Sequence, residues 1–211
     1  MLGPTRKGAN VGFRPLVFGL RQEPWRVGPS PRRICRPSGR PPRSGRGRPL
    51  NRKKETVVSE IEERLKGLGI TLPVAAAPAA NYLPFVQSGR LLYLSGQLPS
   101  QGGKPVCHGH LGADVSVEDG YQAARLCAIN LIAQIKAAAG DLSRVARIVR
   151  LGGFVASTPD FTDQPKVVNG ASDLMVAVFG DAGRHARSAV ACPALPFGVP
   201  VEVEAIVELK D

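Results

Sequence analysis

Eight consecutive residues near the C-terminus alternate with a period of two: Val201-Glu202-Val203-Glu204-Ala205-Ile206-Val207-Glu208. That period places the valines and Ala205 on one side of an extended chain and the three glutamates on the other, which a helix cannot do. The segment is therefore expected to be a strand with one face on a core and one face away from it. Arg187-Ser188-Ala189-Val190 alternates in the same way, and the stretch from Pro193 to Pro200 between them holds Pro and Gly turn formers. The two runs are expected to form a hairpin or lie as close neighbours. Arg187 on one strand and Glu202 on the other would then face a shared small pocket. Arginine is a fixed bidentate receptor for a carboxylate, and a glutamate is a candidate general acid/base. The residue types alone also admit a cross-strand salt bridge on a solvated face, which is the commoner fate of such pairs.

The remaining chain supplies an α+β layout. Glu60 to Gly67 reads as a short helix closed by Gly67 and Gly69, and Pro73 to Pro78 as an Ala/Pro linker. Phe85-Val86-Gln87, Ser88-Gly89 and Leu91 to Ser95 read as strand, turn and strand. Val117 to Ala139 is the clearest helix, with Val117, Tyr121, Ala124, Cys127, Ala128, Leu131, Ile135 and Ala138 at three-to-four spacing. Ser116 is placed to cap it and Gly140 to stop it. Arg144 to Ala156 reads as a long strand, and Pro165 to Phe179 as a second helix followed by Gly180. Two helices would cover one face of a mixed sheet. The other face would carry apolar residues such as Phe154, which favours an oligomer.

Charge divides the chain near residue 55. Residues 1–54 hold 15 Lys and Arg against one acid, Glu23, whereas residues 55–211 hold 13 against 16. The basic balance thus belongs to an Arg/Pro/Gly-rich extension, residues 1–57, and the domain expected over residues 58–211 is mildly acidic. A basic nucleic-acid footprint does not apply to that domain. Such an extension has too few apolar residues to order itself. It reads as an RNA- or DNA-binding arm, as an Arg-rich transit peptide, or as sequence upstream of a natural start near Val57-Val58, where Ser59 and the acids after it make a good helix N-terminus. No apolar run approaches the roughly 18 residues that span a membrane. Cys35, Cys107, Cys127 and Cys192 are scattered, which suits a reducing cytoplasm.

Several short boxes, taken together and in order, resemble the RidA/YjgF family of reactive intermediate deaminases, once filed as endoribonuclease L-PSP. They are Leu83-Pro84-Phe85-Val86-Gln87, Leu94-Ser95-Gly96-Gln97-Leu98-Pro99, the helix bearing Asn169, Ala186-Arg187-Ser188-Ala189-Val190 and Val201 to Ile206. The resemblance runs from about Ala80 to Leu209. It implies a chorismate mutase-like protomer, a homotrimer with clefts between subunits, and hydrolysis of enamines and imines such as 2-aminoacrylate to 2-keto acids and ammonia, without a metal or organic cofactor. It places the substrate-carboxylate arginine on Arg187 and the water-polarising glutamate on Glu202. It implies pocket positions at Phe85, Ser95, Gly96, Asn169 and Ala189. Phe85 stands where well-studied members have tyrosine, and Ala189 where they have cysteine. Some branches keep the fold without the activity, so a non-catalytic, chaperone-like binder of small carboxylates is the alternative, and an RNA-directed protein acting through the arm is another.

Other signals carry less. Cys107-His108-Gly109-His110 lacks an obvious fourth metal ligand. Gly102-Gly103 has no helix directly behind it to make a phosphate loop. His185, beside the arginine box, reads as an exposed structural histidine or as a residue lining the cleft mouth, and Glu204 as a structural carboxylate facing the same way as Glu202.

Overall fold

The computed structural model describes residues 60–75 and 81–211. In chain order the elements are α1 (Glu60–Gly67), β1 (Phe85–Ser88), β2 (Leu91–Gln97), the short pair β3 (Ser100–Gln101) and β4 (Lys104–Pro105), α2 (Val117–Ala139), β5 (Val145–Ala156), α3 (Gln164–Phe179), β6 (Ala186–Cys192) and β7 (Val201–Leu209). The expected helices and strands are present to within a residue or so. The basic extension, its three readings, and the second half of the Ala/Pro linker lie outside the described residues. No helix among those residues is long and apolar enough to cross a membrane.

Five strands form one mixed sheet in the order β1-β2-β7-β5-β6. This corrects the expected hairpin. β6 and β7 are not neighbours: β5 lies between them, parallel to β6 and antiparallel to β7. Twelve residues long, β5 offers both of its edges to a partner. The chain after β6 therefore crosses β5 before β7 begins, and the Pro193-to-Pro200 segment is a crossover loop. Turn composition alone cannot tell a tight hairpin from a loop that spans one strand.

One face of the sheet carries the core. Leu92, Leu94, Ile148, Leu151, Val155, Val201, Val203, Ala205 and Val207 are all buried there beneath α2 and α3. α2 starts where its sequence says it should: Ser116 Oγ accepts the Asp119 backbone N–H at 3.0 Å, closing one of the four orphan donors of a helix start. It ends at Gly140, whose φ of 77° suits a residue without a side chain. The two long helices meet at Gly170. A Cβ built there would lie 1.9 Å from the backbone oxygen of Tyr121, so only glycine permits this spacing. Gly170→Ala is expected to destabilise the fold by about 1–3 kcal/mol or more, because neither backbone can retreat without unpacking the core; calorimetric melting measures it.

Among the described residues, no helix lies over the opposite face. The register puts Phe154 beside Glu202, Gly152 beside Glu204 and Arg150 beside Ile206 on this side. Val86, Tyr93 and Val190 are large apolar residues left exposed. The alternation of β7 thus separates a dry face from one that is apolar, charged and uncovered.

Candidate active site

Arg187 sits on the edge strand β6 and turns toward α3. Its Nη1 donates to Asn169 Oδ1 at 2.8 Å and to Ser172 Oγ at 2.9 Å, and its Nη2 donates to the Pro165 carbonyl at 3.3 Å. Residues 165, 169 and 172 are spaced by four and three, so they share one face of the helix. Three of the five guanidinium protons are held there. Among the described residues, the Nε–H and one Nη2–H find no acceptor, which is the number a carboxylate takes in a bidentate pair. Ala189, two residues on, pairs with Gly153 and packs half-buried against the core.

Glu202 lies on the uncovered face, between the buried Val201 and Val203. The three glutamates of β7 differ in their partners. Glu204 pairs with Arg150 at 3.2 Å and Glu208 with Arg90 at 2.6 Å. Glu202 has neither a cation nor a hydrogen-bond donor beside it among the described residues. Burial raises its carboxyl above the usual range, and the neighbouring Glu204 raises it further. Its side chain lies over Gly96, where a Cβ would come within 1.8 Å of Oε1. Ser95, beside Gly96, donates its hydroxyl to the Leu83 carbonyl at 2.7 Å and ties down the chain before β1. Phe85 opposes Leu94 across β1 and β2 and packs half-buried against the core.

The expected residues therefore form two groups. Arg187, Asn169 and Ala189 lie on the helix side of the sheet, and Glu202, Gly96 and Ser95 gather around the bulge in β2 and the open face. Arg187 and Glu202 do not share a pocket within one chain, contrary to the hairpin expectation, because β5 separates their strands and the two side chains leave opposite faces. The groove of about 440 Å³ under the 105–115 loop, lined by Cys107, His108, Asp119 and Arg125, is bordered by neither of them.

One residue of the arginine group, Ser172, escaped the sequence reading, and a second, His185, was read as exposed. Ser172 carried no signal beyond its place three residues after Asn169. His185 is half-buried rather than exposed, with Nε2 3.0 Å from Ser172 Oγ and Nδ1 2.6 Å from the Gly183 carbonyl. The histidines of the Cys107–His110 segment each bond a carbonyl of the crossover loop, His108 at Phe197 and His110 at Pro193. Among the described residues, no cluster of His, Cys, Asp or Glu is placed to hold a metal ion.

An α+β protomer of this topology has the chorismate mutase-like fold. The chain belongs to the family described as "YjgF/chorismate mutase-like, putative endoribonuclease", whose model matches residues 62–209. It is 52% identical to Protein TCP17 of Trypanosoma cruzi over 152 residues, which cover 72% of this chain and 95% of that protein. It is 55% identical to Atu1372 of Agrobacterium tumefaciens, whose crystal structure matches 71% of this chain and 92% of that one with a TM-score of 0.67. A Shewanella oneidensis crystal structure bearing the same endoribonuclease label is 42% identical, with a TM-score of 0.69 over 71% of this chain and 99% of that one.

Proposed function

We propose that the protein is a hydrolytic deaminase of reactive enamines and imines, working as a cytoplasmic homotrimer in which Arg187 of one protomer meets Glu202 of its neighbour. The observation that carries this reading is Glu202. A half-buried carboxylate with no cation beside it among the described residues, its proton affinity raised by burial and then by Glu204, costs stability where it stands and suits a proton-transfer role. The two free donors of Arg187 fit the carboxylate of a 2-imino acid, and the uncovered apolar face carrying Val86, Tyr93 and Val190 supplies a surface for a second copy.

The chemistry balances with water alone. The imino acid seats its carboxylate on Arg187, which draws electron density from the adjacent C=N carbon. Glu202 takes a proton from the attacking water and the C–O bond forms. That proton passes to nitrogen as the C=N π bond breaks, which leaves a carbinolamine. Glu202 then carries the carbinolamine hydroxyl proton to the amine as the C=O bond forms and the C–N bond breaks, and a 2-keto acid and ammonia leave.

The test is release of ammonia and keto acid from 2-aminoacrylate and longer imino acids generated in situ, with the full chain in its assembled state. Acceleration over the buffer rate is expected. No acceleration across several imino acids, from a folded oligomer, would turn the reading toward a carboxylate-binding protein. Gly96→Ala supplies a second check. The added methyl occupies the position of the Glu202 carboxylate, and that flexible side chain can swing aside. The fold is expected to survive with a near-parental melting temperature, while kcat/KM falls about 10²-fold as the carboxylate is displaced by an ångström or more.

A further inference from the structure

We propose that Ser172 and His185 are positioning residues that fix the donor direction of the hydrogen bonds holding Arg187, and so aim its two free protons at the substrate. This rests on the deaminase reading for its kinetic consequence, although its geometry stands independently.

The argument starts at a carbonyl. Gly183 O can only accept, so His185 Nδ1, 2.6 Å away, must carry a proton. In a neutral ring with Nδ1–H, Nε2 presents a lone pair. Ser172 Oγ, 3.0 Å from Nε2, therefore donates its single proton to the ring. That leaves the serine oxygen as an acceptor, and Arg187 Nη1 donates to it from 2.9 Å. Each proton in the chain from guanidinium to hydroxyl to imidazole to carbonyl has one direction. Without the imidazole acceptor, the Ser172 hydroxyl is free to turn its proton toward Nη1, where two donors oppose each other. Nη1 still reaches Asn169 Oδ1 and Nη2 the Pro165 carbonyl, so loosening Ser172 lets the guanidinium plane shift about those two contacts. The histidine, which touches no substrate, acts through the serine.

The experiment compares Ser172→Ala, His185→Phe, His185→Gln and the Ser172→Ala/His185→Phe double variant, all in the full chain. Glutamine places an acceptor oxygen near the Nε2 position; phenylalanine removes it. For imino-acid turnover, KM is expected to rise roughly 3- to 10-fold in Ser172→Ala and His185→Phe, the loss of one hydrogen bond to a charged group's support, with a smaller change in kcat. The dissociation constant of pyruvate, a 2-keto acid probe, is expected to rise in parallel. The double variant should match Ser172→Ala within a factor of two, and His185→Gln should lie close to the parent. Additive effects, or an unchanged constant in Ser172→Ala, would overturn the proposal.

Nuclear magnetic resonance decides the geometry whether or not the protein turns over imino acids. The His185 nitrogen spectrum should show Nδ1 protonated and Nε2 bare. The Arg187 Nε–H signal should be sharp in the parent and in His185→Gln, and broadened by exchange in Ser172→Ala and His185→Phe. An Nε2–H tautomer, or an Arg187 signal indifferent to all four variants, refutes the relay. Failure of pyruvate binding and turnover in the parent, with these spectra as expected, instead removes the deaminase reading and leaves the relay standing.

Discussion

Replacing Arg187 with alanine is expected to lower kcat/KM for a 2-imino acid by about 10²-fold. The estimate follows from two charge-assisted hydrogen bonds to the substrate carboxylate, together about 3 kcal/mol in a partly wet cleft. Lysine should recover little of this. The acceptors at Asn169, Ser172 and Pro165 are arranged for a planar fork, which a single ammonium does not provide. Truncation leaves Asn169 exposed to water and the core untouched, so the melting temperature should stay within a few degrees of the parent. The loss should show both in KM and in kcat, because the guanidinium seats the ground state and also withdraws electrons at the reacting carbon. An alanine variant that keeps activity within threefold of the parent would remove Arg187 from the site.

The second large effect is at Glu202. Glutamine keeps the shape and removes the proton acceptor, and turnover should fall about 10²- to 10⁴-fold. The same substitution should make the protein more stable. The folded state raises this carboxyl above its ordinary value of 4.5, so the folded chain holds the proton more tightly than the unfolded chain. As pH rises from about 4.5 through the raised value, stability falls, and the full penalty is present above that window. Glu202→Gln escapes the penalty. Its melting temperature should exceed the parent's at pH 7, and the gap should close as pH approaches 4.5 from above. The parent's activity should run in the opposite sense, rising with pH as Glu202 ionises. Equal melting curves at pH 7 would mean that the carboxylate finds a compensating partner in the assembled protein.

The sequence made the individual elements plain and left their arrangement obscure. The alternation of β7 and the three-to-four spacing of α2 are one-dimensional signals, and each maps onto burial in the fold. The insertion of β5 between β6 and β7 is a long-range pairing that no local pattern records. Because β6 pairs with Leu151 on one edge of β5 while β7 pairs with the other edge, Arg187 and Glu202 end up separated although their strands are adjacent in sequence. The candidate site was legible as residue types in motif context. Its support was not. Ser172 is an ordinary helical serine until α3 is laid against β6, and His185 is an ordinary strand-flanking histidine until Gly183 turns its carbonyl toward the ring. Motif context singled out Glu202, but its physical difference from Glu204 and Glu208 shows only in the fold, where Arg150 and Arg90 pair with the other two.

The placement of Arg187 and Glu202 on opposite sides of one sheet has a genetic consequence. On the proposed arrangement a newly made chain is folded but inert, and chemistry begins only when copies meet, so activity per molecule depends on abundance. Lesions in the two halves are then not equivalent when they occur on different chains. A subunit defective at the arginine still lends its glutamate, and one defective at the glutamate still lends its arginine. Two inactive alleles expressed together can rebuild a working cleft at their junction, while either allele mixed with the normal one disables a share of sites that it did not itself encode in full.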